Sequence, residues 1–416
     1  MSSNQMLFAG NSSAKSEPWT TKELLLFLGV LLLAMALRLY FVLGLNQPEM
    51  TGDEKYYDEL ARQLLDTGVY GYRSHTPNAY VTPGYPVFLA IVYKFSRFFF
   101  GYYTNIVENA RTFQAVLLII SIALMYLIAR KIGGKKVALF SALIGALYPS
   151  MIWSAGSVLT EVLFTTVFLA YFFTIMVALE KHSIWFCGLS GIFFGVCVLT
   201  RPQVAPFFFI PFLMVYFKHR SKDALVMFVI FSTAFALVMM PWWVRNYMTF
   251  HRVILSATQT GNPLLAGTDP YNRLGVEKLF KGVKPEEQTK YALERIKNGF
   301  KHEPLLYLKW FTVGKFTIMF KDPWVRFPGG FLRPLANMHL PIVILGWAGL
   351  LLATVKPRLR LMATTVLYVT FIQLLFLPLP RYVFPLIPFL IISAVYLPAQ
   401  ISTKLSRQPK CPFMKR

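Results

Sequence analysis

The residues best suited to chemistry are the adjacent carboxylates Asp53 and Glu54, which follow Gly52 just after the first long apolar segment. They belong to an acidic stretch, residues 46–81, which holds six acidic residues against three basic ones. The whole chain carries a formal net charge of +23, so this local excess of acid is unusual. Carboxylates gathered beside the membrane in an otherwise basic protein suggest a chemical role more than one in solubility.

The same two acids also have a structural interpretation. Thr51 and Glu54 have the spacing of a capping box, and an acidic residue in the first turn stabilises a helix by about 0.3–1 kcal/mol. An amphipathic helix on the outer leaflet is predicted to follow and to end at Gly68, because apolar residues recur at helical spacing. They are Tyr57, Leu60, Ala61, Leu64 and Leu65. The residues alone leave both interpretations of the acids open.

Three arginines at the ends of apolar segments could bind a phosphate group. They are Arg201, Arg245 and Arg381, and Tyr382 beside the last could add a hydrogen bond. A guanidinium binds phosphate oxygens through two parallel hydrogen bonds, which makes arginine better suited than lysine to this task. An arginine at a helix end can instead extend its charge to the membrane surface without any binding role. We adopt that second interpretation for Arg38.

Two further residues are candidates for the same site. Glu161 opens an apolar segment, where it is either a favourable helix-start acid or a second carboxylate facing a substrate or a metal ion. Tyr85 lies between two prolines in a stiff turn that could present it at the membrane surface, and a simple loop-to-helix junction is the alternative. The histidines of the outer regions show no ligand spacing: His75, His251, His302 and His339. A divalent cation, Mg²⁺ or Mn²⁺, is therefore an open expectation with no assigned ligands.

The segments that carry these residues are typical of a polytopic helical membrane protein. Of the 416 residues, 56% are hydrophobic and only 15% are charged, and the mean hydropathy is +0.51. Apolar runs of about twenty residues recur along the chain. The basic residues cluster in short loops between these runs, a distribution that sets membrane topology and argues against nucleic-acid binding. The three cysteines form neither a metal-binding pattern nor an even disulfide set.

About ten apolar segments are predicted to cross the membrane, with both termini in the cytoplasm, because the basic clusters then fall on one side. They are residues 24–45, 112–129, 137–153, 158–179, 184–199, 204–217, 224–244, 339–355, 361–378 and 383–398. The first is expected to remain as an anchor, since it is longer than the apolar region of a signal peptide. Two aromatic-rich stretches that contain lysine or arginine, 85–100 and 305–320, are expected to lie in the outer interface. The chain is thus predicted to be one membrane-embedded domain, 1–416, with outer segments 46–111 and 245–338.

The order of these motifs along nearly the whole chain resembles the polyprenyl-phosphate-sugar-dependent glycosyltransferases of the GT-C fold. The branch it resembles, glycosyltransferase family 39-like, includes protein O-mannosyltransferases and lipid A aminoarabinose transferases. In chain order the shared motifs are Gly52-Asp53-Glu54, the amphipathic helix, the proline turn, Glu108…Arg111…Gln114, Leu159-Thr160-Glu161, Leu199-Thr200-Arg201-Pro202, Pro241-Trp242-Trp243-Val244-Arg245-Asn246 and Pro380-Arg381-Tyr382…Pro385. One departure is the turn itself, Thr82-Pro83-Gly84, where the aminoarabinose transferases carry a Lys-Pro-Pro type. A lysine contact to the donor phosphate is therefore not expected.

The resemblance implies an all-α bundle of about ten transmembrane helices with juxtamembrane helices at the outer face. It also implies an inverting enzyme that transfers a sugar from a polyprenyl-phosphate-linked donor to the hydroxyl of a glycan, lipid or protein acceptor. Asp53 matches the expected general base, with Glu54 and Glu161 as supporting or acceptor-binding acids. The residues expected at the donor phosphate are Arg201, Arg245, Arg381, Tyr382 and Tyr85. The site is expected to face the periplasm from a bacterial inner membrane.

Two other classes of protein are alternatives. A transporter or lipid flippase would place charged or broken helices near the middle of the membrane and would show internal repeats. Here most acids lie in the predicted outer loops, and no repeat is visible in the sequence. A glycan polymerase of the cell envelope would share the large outer segments. Replacing Asp53 would separate these classes, because only the transferase is predicted to lose sugar transfer while it still inserts normally.

Overall fold

In the computed structural model the described residues are 18–102, 104–219, 222–259, 261–325 and 332–406, and they form helices without any β-strand. The all-α fold predicted from the apolar segments is thereby confirmed. These ranges contain eighteen α-helices joined by short 3₁₀ turns and loops. They are α1 (Thr21–Gly44), α2 (Asp53–Thr67), α3 (Gly84–Phe100), α4 (Ile106–Leu147), α5 (Pro149–Trp153), α6 (Thr160–Lys181), α7 (Ile184–Thr200), α8 (Ile210–His219), α9 (Lys222–Phe250), α10 (Gly261–Ala266), α11 (Val276–Phe280), α12 (Gln288–His302), α13 (Pro304–Lys309), α14 (Lys315–Phe320), α15 (Leu332–Ala336), α16 (His339–Leu350), α17 (Pro357–Gln373) and α18 (Ile387–Ser406).

Six helices in this part of the chain are long and apolar enough to cross a membrane. They are α1, α4, α6 and α9, together with the segments Leu332–Thr354 and Pro380–Ile401, which contain α16 and α18. Three shorter apolar helical segments accompany them: Ile184–Thr200, Pro202–Tyr216 and Leu359–Gln373. The protein is therefore a multi-pass membrane protein, and the total of about ten crossings stays a prediction.

The longest helix, α4, is folded back on itself at Gly134. The backbone of Gly134 has φ +80° and ψ −177°, a conformation that essentially only glycine adopts. In a straight helix Met125 and Gly145 would lie about 30 Å apart, yet the Met125 side chain lies directly against Gly145. The two halves of α4 therefore pack side by side. They correspond to the predicted membrane segments 112–129 and 137–153.

Arg38 needs a correction, because its guanidinium does not extend to the membrane surface. The residue is fully buried, and Nη1 donates to the carbonyls of Ala34 and Ala146, each at 3.0 Å. Nη2 donates to the carbonyl of Gly145 at 3.1 Å. Buried charges persist only when such partners replace water. Arg38 is therefore a cross-link between α1 and the second half of α4.

The predicted amphipathic helix is present as α2. It ends at Gly68, whose N–H donates to the carbonyl of Leu64 at 3.1 Å. At its other end the N-cap is Gly52, with φ +59° and no side-chain cap hydrogen bond. The predicted capping box of Thr51 and Glu54 stays a prediction. The positive φ at Gly52 directs the chain into α2.

The helix α3 packs against α2 through polar as well as apolar contacts. The hydroxyl of Tyr93 donates to Asp58 Oδ1 at 2.7 Å, and Arg62 holds the same carboxylate at 3.0 Å. The stretch 85–100 is thus a single helix docked on the amphipathic one. The other aromatic stretch is divided into α13, a π-helical turn over Trp310–Gly314, and α14. The interfacial position of both stretches stays a prediction.

Candidate active site

Four charged residues from distant parts of the chain meet at one end of the bundle. Arg381 Nη2 donates to Asp53 Oδ2 at 2.8 Å, and its Nε lies 3.7 Å from Glu161 Oε1. Arg201 Nη2 donates to the same Glu161 oxygen at 2.6 Å. Residues that the sequence presented as separate candidates therefore form one continuous ion-pair network.

Three of these charged residues lie at helix ends, where the partial charge of the helix stabilises the charge of the side chain. Asp53 is the first residue of α2, and Glu161 lies in the first turn of α6, where the partial positive charge of a helix N-terminus stabilises a carboxylate. Arg201 caps the C-terminus of α7, where the helix end favours a cation. Arg381 lies in the 3₁₀ turn Pro380–Leu386, which leads into α18. The bundle thus brings two helix N-termini and one C-terminus to a common point.

The Asp53 carboxylate is held between two donors and still faces solvent. Besides the contact from Arg381, its Oδ1 accepts a hydrogen bond from the Tyr72 hydroxyl at 3.3 Å. The Tyr72 ring is buried and stacks on Tyr80 at a centroid distance of 5.7 Å. Burial and the Asp53 charge raise the pKa of Tyr72, so its hydroxyl stays a donor. The Asp53 side chain is 35% exposed, which leaves it accessible to a substrate.

Glu161 and Arg201 form the buried half of the network. Their side chains are 1% and 7% exposed. Arg201 Nε also donates to Thr160 Oγ1 at 3.1 Å, and its guanidinium lies 5.2 Å from the Tyr382 ring centre and 5.7 Å from that of Phe164. This enclosure lets Arg201 hold Glu161 in place. The predicted contact of Arg201 with a donor phosphate stays a prediction.

A cavity of about 490 Å³ opens beside Asp53. Its charged lining consists of Asp53, Glu54, Arg111 and Arg381. Its other lining residues include Phe41, Gln47, Trp153, Ser157, Trp324 and Leu379. Arg111 Nε donates to the carbonyl of Gly156 at 2.9 Å, which aims this helix residue at the cavity. Arg111 was not among the predicted site residues, although the motif that opens the second span contained it.

A second cavity of about 820 Å³ lies on the other side of α2. The first turn of α2 lines the cavity beside Asp53, whereas Leu64 and Gly68 near its end line the second one. Most of the second lining is apolar: Val69, Val87, Phe88, Ile91, Leu163, Val196, Leu199, Val238 and Trp242. Arg245 contributes a charge, and its guanidinium donates to the carbonyls of Asn78 at 3.0 Å and Tyr70 at 3.1 Å. Arg245 therefore lies at an apolar cavity that is separate from the ion-pair network.

Two of the predicted tyrosines have different surroundings. Tyr85 is fully buried, and its hydroxyl donates to Gln114 Oε1 at 3.1 Å. Tyr85 therefore links α3 to α4, and its predicted contact with a donor phosphate stays a prediction. The Tyr382 ring lies 5.2 Å from the guanidinium carbons of both Arg201 and Arg381. This cation–π contact orients the two arginines, and a hydrogen bond from Tyr382 to phosphate stays a prediction.

Replacing Gly52 with alanine is expected to disturb the site through the backbone alone. An added Cβ would meet no atom within 4 Å, but alanine at φ +59° is strained by about 1–2 kcal/mol. We expect a lower thermal midpoint in detergent and a misplaced Asp53. The matched control is Gly29→Ala in α1, where a Cβ also meets nothing and a helical φ should make alanine neutral or stabilising. Equal midpoints for the two variants would contradict the backbone explanation.

The chain is similar to known glycosyltransferases in part of its sequence and in its fold. Residues 86–244 match the family model described as dolichyl-phosphate-mannose-protein mannosyltransferase. The oligosaccharyltransferase AglB from Archaeoglobus fulgidus, in complex with an inhibitory peptide and a dolichol-phosphate, is similar with a TM-score of 0.54 at 15% identity. That match covers 95% of this chain and 53% of AglB. The chain has a GT-C fold.

A second solved structure extends the comparison. ArnT from Cupriavidus metallidurans, bound to undecaprenyl phosphate, matches with a TM-score of 0.49 at 17% identity, over 94% of this chain and 61% of ArnT. No curated protein sequence matches the chain. The chain thus spans between half and two thirds of the length of these two structures. The GT-C fold inferred from the motifs is confirmed by the match to AglB, and the family model over residues 86–244 agrees with the resemblance.

The matched residues 86–244 cover only part of the site. They contain Glu161 and Arg201, whereas Asp53 and Arg381 come from the flanking sequence. Within the described ranges no three histidine, cysteine or acidic side chains lie close enough together to hold a metal ion. A divalent cation at this site stays a prediction.

Proposed function

We propose that the protein is an inverting membrane glycosyltransferase that uses a polyprenyl-phosphate-linked sugar, with Asp53 as general base. The observation that carries this proposal is the Asp53 carboxylate, which opens on a cavity of about 490 Å³ while Arg381 donates to it at 2.8 Å. The family model of mannosyltransferases and the dolichol-phosphate bound to AglB support a lipid-phosphate donor. The cavity is wide enough for a sugar acceptor and is lined with both polar and aromatic groups.

The proposed reaction is a single displacement. The acceptor hydroxyl gives its proton to Asp53 as its oxygen bonds to the anomeric carbon of the donor sugar. The bond between that carbon and the phosphate oxygen breaks at the same time, and the leaving polyprenyl phosphate keeps the electron pair. Attack from the face opposite the leaving group inverts the anomeric centre. Positive charge fixed near the phosphate stabilises the transition state more than the ground state.

The second cavity suits the lipid part of such a donor. Its apolar lining matches an isoprenoid chain, and Arg245 at its edge supplies a guanidinium for the phosphate. Within the described residues Arg245 forms no ion pair with a carboxylate, unlike Arg201 and Arg381. We therefore assign Arg245 to the donor phosphate and the polar cavity beside Asp53 to the acceptor.

We infer the orientation in the membrane from the charges at the two ends of the bundle. Asp53 follows the end of α1, whereas Glu23 at the start of α1 pairs with Arg130 at 2.7 Å. The end that carries Arg130 also carries Lys131, which pairs with Glu180 at 2.5 Å. Basic residues concentrate on the cytoplasmic side of membrane proteins. This supports a site facing the periplasm of a bacterial inner membrane.

A reconstituted transfer reaction tests the proposal. The full chain in proteoliposomes should release polyprenyl phosphate from at least one member of a panel of undecaprenyl-phosphate monosaccharides when an envelope glycolipid extract is supplied. The measurement is the appearance of free undecaprenyl phosphate together with a labelled sugar in the acceptor fraction. Failure with every donor, in protein that remains folded and monodisperse, would remove support for the transferase.

Replacing Arg245 should weaken donor binding without affecting Asp53. We expect Arg245→Gln to raise the Kd for undecaprenyl phosphate about 10- to 100-fold, because a charge-assisted hydrogen bond contributes about 1.5–3 kcal/mol. Arg245→Lys should recover only part of the affinity, since it keeps the charge but loses the fork. The matched control is the exposed Arg252, whose replacement by glutamine should change nothing. The same Kd for both glutamine variants would place the phosphate elsewhere.

A further inference from the structure

The two site carboxylates are bridged by an arginine. Asp53 and Glu161 come from α2 and α6, and both lie within ion-pair distance of Arg381, at 2.8 Å and 3.7 Å. One of the similar solved structures, the Archaeoglobus fulgidus oligosaccharyltransferase with a TM-score of 0.53, is a complex with zinc and sulfate. We infer that in the present protein the Arg381 guanidinium takes the place of a divalent cation between the two carboxylates. This inference deepens the proposed function and rests on it.

The oxygens of Glu161 are already occupied. Oε1 accepts from Arg201 at 2.6 Å and lies 3.7 Å from Arg381, while Oε2 accepts from the Thr160 hydroxyl at 3.2 Å. A metal ligand needs a free oxygen lone pair at about 2.0–2.2 Å from a Mg²⁺-sized ion. Glu161 is also 1% exposed, so water cannot readily complete a coordination shell around it. The oxygens of the buried Glu161 carboxylate are thus already used in contacts within the protein, chiefly with arginines.

The charges of the network balance without a metal ion. Asp53 and Glu161 supply two negative charges, and Arg201 and Arg381 supply two positive ones. A dication placed between the carboxylates would have to displace Arg381, and it would also lie close to Arg201. Bringing like charges together in a poorly hydrated site is costly. Electrostatics therefore favours the guanidinium as the resident cation.

Arg381 can take over two roles of a bound cation, which are to orient the Asp53 carboxylate and to provide positive charge beside it. Its contact with Oδ2 fixes the orientation of the Asp53 carboxylate, and its side chain lines the cavity beside Asp53. An arginine is always charged, so it keeps a positive charge beside both carboxylates throughout the reaction. It is attached to the chain, so its position does not depend on ion concentration. The reaction of this protein should then not require added divalent ions.

Manganese binding measured by electron paramagnetic resonance tests the inference without any need for transfer activity. In the purified full chain, we expect no Mn²⁺ bound at this site. Asp53→Asn should therefore leave the amount of bound Mn²⁺ unchanged. Arg381→Glu would place a third carboxylate between Asp53 and Glu161, and this variant should gain about one bound Mn²⁺ per protein. Arg381→Gln is the matched control, because it removes the guanidinium without adding a ligand. Gel filtration and thermal melting confirm that each variant is folded.

Two results would overturn the inference. One is stoichiometric Mn²⁺ in the unaltered protein that disappears in Asp53→Asn. The other is a folded Arg381→Glu protein that binds no more Mn²⁺ than Arg381→Gln. Where transfer is observed, chelation with EDTA should change its rate by less than about twofold, unlike an enzyme whose metal stabilises the leaving group. Absence of transfer with every donor would count against the proposed function, while the manganese measurement would still decide the role of Arg381.

Discussion

Replacing Asp53 with asparagine is expected to lower sugar transfer by about 10²–10⁴-fold, the usual contribution of a positioned general base. Asparagine keeps the shape of the side chain and can still accept from Tyr72 or Arg381, but its amide cannot take a proton from the acceptor hydroxyl. The affinity for undecaprenyl phosphate should stay the same, because Arg245 and the apolar cavity lie elsewhere. The measurements are the turnover number in proteoliposomes and the Kd of the donor lipid.

Neighbouring acids provide the controls for Asp53. Glu54 also lines the cavity, and Glu54→Gln should reduce turnover about tenfold at most, as expected for a group that only orients the acceptor. Glu59 is 51% exposed on the same helix, so Glu59→Gln should behave like the unaltered protein. Unchanged transfer in a folded Asp53→Asn protein would rule out Asp53 as the base. A larger loss with Glu54→Gln would assign the base to the second acid.

Replacing Glu161 with leucine is expected to destabilise the protein by about 3–5 kcal/mol, because it leaves a buried charge unpaired. Arg201 is 7% exposed and already has one guanidinium nitrogen without a hydrogen-bond partner in the described chain. Losing Glu161 removes the ion pair that Arg201 makes with it and one of the two carboxylates around Arg381. The thermal midpoint in detergent and the yield of monodisperse protein report this effect.

A second replacement distinguishes the cost of an unpaired buried charge on Arg201 from the loss of the contact between Glu161 and Arg381. The double variant Glu161→Leu with Arg201→Met should recover most of the stability, since removing both charges leaves no buried ion unpaired. Sugar transfer should stay low in the double variant, because Arg381 would still lack Glu161. The matched control is Glu180→Gln, which breaks the half-exposed pair with Lys131 and should cost at most about 1 kcal/mol. If the single Glu161 variant is as stable as that control, the network does not support the fold.

The sequence was sufficient for those features that depend on local pattern. The period of apolar residues predicted α2 and its end at Gly68, and the long apolar runs predicted an all-α membrane protein. The order of motifs indicated the GT-C fold and selected Asp53, Glu161 and Arg381, which the bundle brings into one network. These features are readable because helical periodicity and charge at helix ends are properties of neighbouring residues.

Features that depend on distant contacts were missed or assigned the wrong role. Arg38 was expected at the membrane surface, but the return half of α4 brings the backbone carbonyls of Gly145 and Ala146 to it. The partners of Arg201 and Tyr85 also follow from packing between helices, which the sequence does not show. None of these contacts leaves a periodic signal in the chain.

The contact between Asp53 and Arg381 has a consequence for how the protein is made. The two residues are 328 positions apart, near opposite ends of the chain. At about 5–20 residues per second, a ribosome reaches Arg381 roughly 15–65 s after Asp53. For that time the newly inserted helices carry the acid without its arginine partner. The site therefore cannot be completed one helix at a time, and a nascent chain released before α18 would enter the membrane with an incomplete site.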